Sequence, residues 1–188
     1  MPPKVKVIKE DIINCAVEIV RRDGAEAINA RNVAATLGCS TQPVFSNFSS
    51  MEELKLAVIE KADSICMEYI KVECEKGEYP SYKASGMAYI RFAKEEKELF
   101  KLLYMRDRSR EADAASVDSD LNDNMISMVQ GNTGLESQDA SLFHLEMWAV
   151  VHGIATMLAT GFLDLEWELI SKMLTDSYLG MRKQYGRE

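Results

Sequence analysis

Apolar residues recur at three- and four-residue steps along most of this chain, and no segment alternates apolar with polar in the two-residue rhythm of a strand. Ile12, Ala16, Ile19 and Val20 make the first stripe, which stops at Gly24. Val33, Ala34 and Leu37 make a second, shorter one, with Asn29 as the cap ahead of it. Gly38 supplies the left-handed residue that ends such a helix, and Ser40 restarts the chain as an N-cap. Pro43 falls in the first turn of the next helix, where a missing N–H costs nothing. Val44 and Phe48, four apart, face inward again, which leaves Thr41, Gln42, Phe45, Ser46 and Asn47 outward. Two short helices around a tight turn, the second polar on its outer side, are the construction of a helix-turn-helix, whose second helix enters the major groove of DNA.

Downstream, Ser50-Met-Glu-Glu53 has the form of a capping box and starts a long helix to about residue 76. Its stripe is Leu54, Val58, Ala62, Ile65, Tyr69 and Val72, and Gly77 ends it. About 26 residues reach roughly 39 Å, a rigid arm from head to body. Ser81 caps a helix over 82–95 that carries Met87, Ala88, Ile90 and Phe92; Leu99, Phe100, Leu102 and Leu103 form a short helix after it. Residues 106–117 are charged without periodicity and read as a loop. Asp118 to Gln130 is helical with Leu121, Met125, Met128 and Val129 inward, and Gly131 and Gly134 bracket a turn. The last two helices, over 137–160 and 165–185, are the most apolar, and Asp164 caps the second. The first of them is apolar on more than one face, so one side serves the chain's own core and the other is open to a partner chain. The fold class is therefore all-α, with about nine helices. A three-helix helix-turn-helix head over residues 1–50 is joined by the long helix to a helical body over 51–188.

The formal charge of the 188 residues is −8, which runs against DNA binding until the chain is split. Residues 1–60 hold seven Lys/Arg against eight Asp/Glu, a balance of −1, and the remaining 15 against 22 leave −7 on the body. A head near neutrality must lean on hydroxyls, amides and helix termini at the phosphates, and on being present twice. Gln42 and Asn47 can donate and accept at adenine edges, while Thr41 and Ser46 reach bases or phosphates. Lys55, one turn into the long helix, is the best remaining phosphate partner. Cys15, Cys39, Cys66 and Cys74 form no Cys-x-x-Cys pair and no export signal precedes them, so they read as reduced thiols in a cytoplasm. Redox sensing through Cys66 or Cys74 is the thiol alternative. The two histidines lie far from all four cysteines, so no metal site and no cofactor is expected. No stretch approaches the roughly 20 uninterrupted apolar residues of a membrane span, and no Gly-rich phosphate loop, His-Glu-x-x-His or Gly-x-Ser-x-Gly motif points to an enzyme.

The residues that mark the head, Ile12…Ala16…Gly24, Val33-Ala34…Leu37-Gly38-Cys39-Ser40, Val44-Phe45…Phe48 and Ser50…Glu53-Leu54, resemble the DNA-binding domain of the TetR-like family of bacterial transcriptional regulators. Tyr89-Ile-Arg-Phe-Ala93, Glu98-Leu-Phe-Lys-Leu-Leu103 and Trp148-Ala-Val-Val-His-Gly153 are similar to the ligand-binding domain of its Trp…His-Gly subgroup. Phe45 stands where the family usually has tyrosine and Met51 where lysine is common, and each change removes a phosphate contact. The resemblance implies a backbone contact for Asn29 and DNA-facing positions for Ser40 and Pro43. It also implies a homodimer in which the last two helices pair into a four-helix bundle. The interface would take Leu145, Val151, Met157 and Leu158 from the first helix. Leu169, Ile170, Met173, Leu174 and Tyr178 would come from the second.

Eleven methionines suit either a helical core or a pocket for varied apolar molecules. Met67, Met125, Met128 and Met147, taken with Phe92, Leu103, Tyr104 and Phe143, point to an apolar or aromatic effector. Trp148 and His152, four apart, are either ligand contacts or packing groups, and packing is the favoured reading. The resulting expectation is a repressor that two heads hold on a near-palindromic operator, in grooves roughly 34 Å apart, until a small molecule favours another conformer. A helical dimeric protein-interaction module is the rival, beside the thiol regulator.

Overall fold

The computed structural model describes residues 7–107 and 119–186, with the side chains of 119–122 outside the description. The basic residues Lys4 and Lys6, most of the expected loop and the Leu121 side chain therefore lie outside the described residues. Among the described residues there are nine α-helices, one short 3-10 helix at Ala25–Ala27 and no strand. The α-helices are α1 Lys9–Asp23, α2 Ala30–Thr36, α3 Gln42–Asn47, α4 Met51–Lys76, α5 Ser81–Glu95, α6 Lys97–Tyr104, α7 Ser119–Thr133, α8 Ser137–Ala159 and α9 Trp167–Tyr185. The all-α expectation holds, and the helix count with it.

Contacts divide the chain into two units. The first holds the described residues up to Met67 together with Glu96–Arg106. Its core is the expected stripe of α1, with Ile12, Ala16 and Val20 fully buried, closed by Val33 of α2, Val44 of α3 and Leu54 and Val58 of α4. α6 also packs on α1, burying Leu99 and Phe100. Arg21 of α1 grips Glu96 with a two-pronged ion pair, Nε to Oε2 at 2.9 Å and Nη2 to Oε1 at 2.7 Å. A forked pair of this kind fixes direction as well as distance.

The second unit holds Glu68–Glu95 and the described residues from Asp107 on. α5 and α8 are its central pair, with α7 and α9 against α8. Phe92, Phe143, Ile154 and Ile170 have no exposed surface to speak of. α8 has the length and mean hydropathy, 1.4, of a membrane span, but its buried residues face α5, α7 and α9. The stripe expected along α4 holds through Ala62 and then turns over: Val72 is 43% exposed while Glu73 is 2% exposed. The Glu73 carboxylate meets Lys76 at 2.7 Å and Arg91 at 3.5 Å, which is what makes a buried charge tolerable there.

Three local expectations are corrected. Ser40 does not cap α3; the N-cap is Thr41, whose side chain makes no capping bond. Asp164 does not cap α9; the N-cap is Glu166, and Asp164 pairs with Lys94 at 2.8 Å. Gly131 lies inside α7, which runs to Thr133, so only Gly134, at φ 74°, makes the turn.

Candidate DNA-recognition face

α3 is six residues long, too short to persist without packing. Two residues hold it down: Val44 is fully buried and Phe48 is 2% exposed. The turn before it forms as the sequence demands. Gly38 sits at φ 65°, where a side chain would be strained, and Cys39 N–H returns to the Ala34 carbonyl at 3.0 Å. Pro43 occupies the first turn of α3. Asn29 caps α2 by accepting the Asn32 N–H at 2.9 Å, and Asn32 Nδ2 ties back to the Ala27 carbonyl at 2.9 Å.

The far end is pinned by Glu53. Its carboxylate accepts both the backbone N–H and the hydroxyl of Ser49, each at 2.7 Å, and meets Lys9 of α1 at 3.0 Å. Those Ser49 bonds first, and Lys9 after them, hold the Glu53 carboxyl down at about 2. Ser50 Oγ accepts the Glu53 N–H at 3.2 Å, so the expected capping box exists with its return bond moved one residue upstream. Lys9 also lies 4.7 Å over the Phe48 ring.

With its inner side fixed, α3 presents Gln42, Phe45 and Ser46 as exposed residues and Thr41, Pro43 and Asn47 as partly exposed ones. Phe45 is 57% exposed. Ser46 Oγ donates to the Gln42 carbonyl at 2.9 Å and Asn47 Nδ2 to the Pro43 carbonyl at 2.8 Å. Asn29, Ser40 and Lys55 are exposed on the same unit.

The electrostatics are unusual for a DNA-facing surface. Lys9, Arg21, Arg22, Lys55 and Lys61 all lie within 4.0 Å of a carboxylate, Lys55 on Glu52 at 3.8 Å. Exposed pairs such as Lys55–Glu52 are worth little and exchange readily for a phosphate, whereas Arg21 is held by its forked pair with Glu96. Arg31, exposed on α2, has no ion pair among the described residues, and sequence reasoning passed over it. The missing signal was not its type but the pairing of its neighbours.

The residues expected at the effector pocket separate. Met67, Leu103 and Tyr104 belong to the first unit, where the Tyr104 hydroxyl lies 3.6 Å from Cys66 Sγ. Phe92, Met125, Met128, Phe143, Met147, Trp148 and His152 belong to the second. There Phe143 and Met147 pack with Val129 and Ala140, and Phe92 meets the Tyr69 ring edge-on at 5.5 Å. Trp148 is 42% exposed and stacks on His152 at 4.8 Å. Both histidines bridge α8 to α5: Tyr82 Oη is 3.0 Å from His144 Nδ1 and Tyr89 Oη 3.0 Å from His152 Nδ1. An open groove of about 530 Å³ lies elsewhere, lined by Glu146, Gly180, Met181, Gln184 and Tyr185, none of them expected.

The residues expected at the dimer interface also divide. Leu145 and Leu169 are 57% and 46% exposed, and Met157, Met173 and Tyr178 are half-buried. Val151, Leu158, Ile170 and Leu174 are buried within the chain itself. Leu142, at 48%, and Leu179, at 53%, take the outward positions instead. Gly153 of α8 and Gly180 of α9 are exposed, and an added Cβ at either would meet no described residue beyond its own helix within 4 Å. Among the described residues no cluster of His, Cys, Asp and Glu could hold a metal ion. Burial pushes the Cys15 and Cys74 thiols up, away from the reactive thiolate.

Residues 82–176, just over half of the chain, match a family model described as tetracyclin repressor-like, C-terminal domain. Among solved structures, a TetR-like transcriptional regulator from a Rhodococcus species is similar over 100% of both chains, with TM-score 0.71 and 17% identity. A TetR-family member from Streptomyces coelicolor matches 90% of this chain and 96% of its own at TM-score 0.65 and 17% identity. The multidrug binding protein EbrR, complexed with imidazole, matches 89% and 93% at TM-score 0.63 and 16% identity. At such identities the likeness is one of fold. No curated protein matches the chain by sequence.

Proposed function

The chain belongs to the tetracycline-repressor-like family, and on that premise we propose that it is a homodimeric transcriptional regulator that grips operator DNA with α3. The observation that carries the reading is the pinning of α3: Val44 and Phe48 are buried while Gln42, Phe45 and Ser46 face outward. A helix displayed in that way, ahead of a capped long helix, fits the major groove. Pro43 and Asn47 belong to the same helix, Asn47 with an amide left for a base edge, while Asn29, Ser40, Thr41 and Lys55 flank it as positioning contacts, and Arg31 joins them. The exposed leucines of α8 and α9 are the proposed contact with the second copy.

A small apolar or aromatic effector acts on the body in this reading. The support is the Met- and aromatic-rich second unit and the likeness to a multidrug binding protein seen with imidazole. The effector binds one conformer better and so withdraws the other from DNA. The protein works without catalysis, in the cytoplasm.

The rival, a helical dimer whose head does not read DNA, draws on the carboxylate-paired cations of the head. Fluorescence anisotropy of the full-length protein against the DNA upstream of its own gene separates the two. Specific binding that falls steeply with salt is the expected result. Equal affinity for that DNA and for a scrambled duplex at 50 mM salt overturns the proposal.

A further inference from the structure

The hydrogen bonds already made on α3 restrict which bases it can read. Ser46 has one hydroxyl proton, and it goes to the Gln42 carbonyl. Asn47 spends one amide N–H on the Pro43 carbonyl. The Gln42 side chain makes no hydrogen bond among the described residues, so both its amide donor and acceptor remain available. Between these positions Phe45 is 57% exposed with no ring partner among the described residues. No Lys or Arg occurs on α3. The commonest guanine contact is a Lys or Arg donating to O6 and N7, and α3 has no group to make it. An amide that can both donate and accept suits adenine N7 and N6, and an apolar ring suits the one apolar group of the groove, the thymine C5-methyl.

Gln42 and Phe45 are three apart, which places them side by side on one face of the helix. We propose that α3 reads a short A·T segment in each half-site, Gln42 on an adenine edge and Phe45 against the methyl of a neighbouring thymine. This rests on the DNA-binding reading above and names the bases that reading left open. A phosphate-facing ring would need a polar tip, which Phe45 lacks. A ring held in water by a six-residue helix, beside a free amide, gains only when an apolar group covers it.

The test uses the full-length protein and a duplex that it selects from a random pool. Each thymine is then replaced by deoxyuridine, symmetrically in both half-sites, which removes the methyl and nothing else. Burying one methyl is worth about a fourfold change in affinity, so the pair gives about fifteenfold. One thymine per half-site is expected to show that loss with the wild-type protein and none with Phe45→Ala. Phe45→Leu, which keeps an apolar group, retains part of it. Replacing the neighbouring adenine by 7-deazaadenine weakens the wild type and leaves Gln42→Ala unaffected. Thermal melts of the variants matching wild type show that the head is intact. Selected duplexes in which every deoxyuridine is tolerated overturn the inference and leave the DNA-binding reading standing. So do penalties that persist unchanged in Phe45→Ala. Failure to select any duplex overturns both.

Discussion

α3 and the α8–α9 pair each leave one side uncovered among the described residues, and the two sides are chemically opposite. α3 offers an amide, hydroxyls and a single aromatic ring, Phe45. α8 and α9 offer the exposed apolar side chains of Leu142, Leu145, Trp148, Leu169 and Leu179, with Gly153 and Gly180 exposed on the same helices. An apolar patch stays in contact once covered, because water is what it avoids. A polar face exchanges one set of hydrogen bonds for another and gains little net, so it binds reversibly and by pattern. The body's outward side is thus suited to a lasting second copy, and the head's to a partner that is found, read and released.

The largest effect expected of any single change falls on the body. Leu145 is 57% exposed in the single chain, so Leu145→Glu leaves the fold within about 0.5 kcal/mol of wild type. In a twofold interface the substitution counts twice and places two unpaired charges among leucines. Sedimentation equilibrium is expected to show dimerisation weakened on the order of a thousandfold, with operator affinity falling alongside. A variant that stays dimeric at micromolar concentration removes Leu145 from the interface.

Next come two phenylalanines three positions apart. Phe48 is 2% exposed and Phe45 57%. Phe48→Ala empties part of the head's core and is expected to cost roughly 3–5 kcal/mol, seen as loss of the head in a thermal melt. Phe45→Ala leaves the melt within about 0.5 kcal/mol and lowers DNA affinity alone. Equal melting of the two variants would mean that α3 is not held by its inner side.

Those two residues also mark how far the sequence could be read. The four-residue step from Val44 to Phe48 placed the inner side of α3 correctly, because helical period encodes burial directly. The cap failed by one position, Thr41 in place of Ser40, since the choice between adjacent hydroxyls depends on backbone angles that a sequence does not display. The grip of Arg21 on Glu96 joins residues 75 positions apart, and no local period carries it. At α8 and α9 the limit is different. Ile170 and Leu174 are buried at home and Leu169 faces out, yet all three are equally apolar. Hydrophobicity says that a residue will be covered, not by which chain. The Arg31 side chain was overlooked for a related reason: it stands out only once its neighbours are seen paired.

A smaller effect separates the body by pH. Burial pushes both His144 and His152 below the ordinary histidine range. Their Nδ1 atoms each lie 3.0 Å from a tyrosine hydroxyl, of Tyr82 and Tyr89. A histidine whose folded value is depressed contributes stability that is present above its unfolded value, about 6.5, and is lost as pH falls through the folded one. Melting temperature is therefore expected to drop between pH 7 and pH 5, before most carboxylates titrate. Each ring supplies a slope below about 1.4 kcal/mol per pH unit, reduced by solvent because both are only partly covered. His144→Phe and His152→Phe should each flatten the curve. An unchanged slope in the double variant assigns the acid sensitivity to other groups.

The smallest effect tests the head's electrostatics. Arg31 has no ion pair among the described residues, whereas Lys55 must leave Glu52 before it can meet a phosphate. Releasing Lys55 from an exposed pair costs little, but the carboxylate it leaves still repels the phosphate. Arg31 carries no such burden, so its contact displaces a full counterion. Arg31→Ala is expected to lower the slope of log affinity against log salt by about 0.9 per subunit, or close to two for the dimer. It should do so equally on every duplex, since a phosphate contact holds without reading sequence. Lys55→Ala should change the slope less, and Glu52→Gln should raise affinity by freeing Lys55. If Lys55→Ala flattens the slope more than Arg31→Ala, the pairing seen in the head does not decide which cations meet DNA.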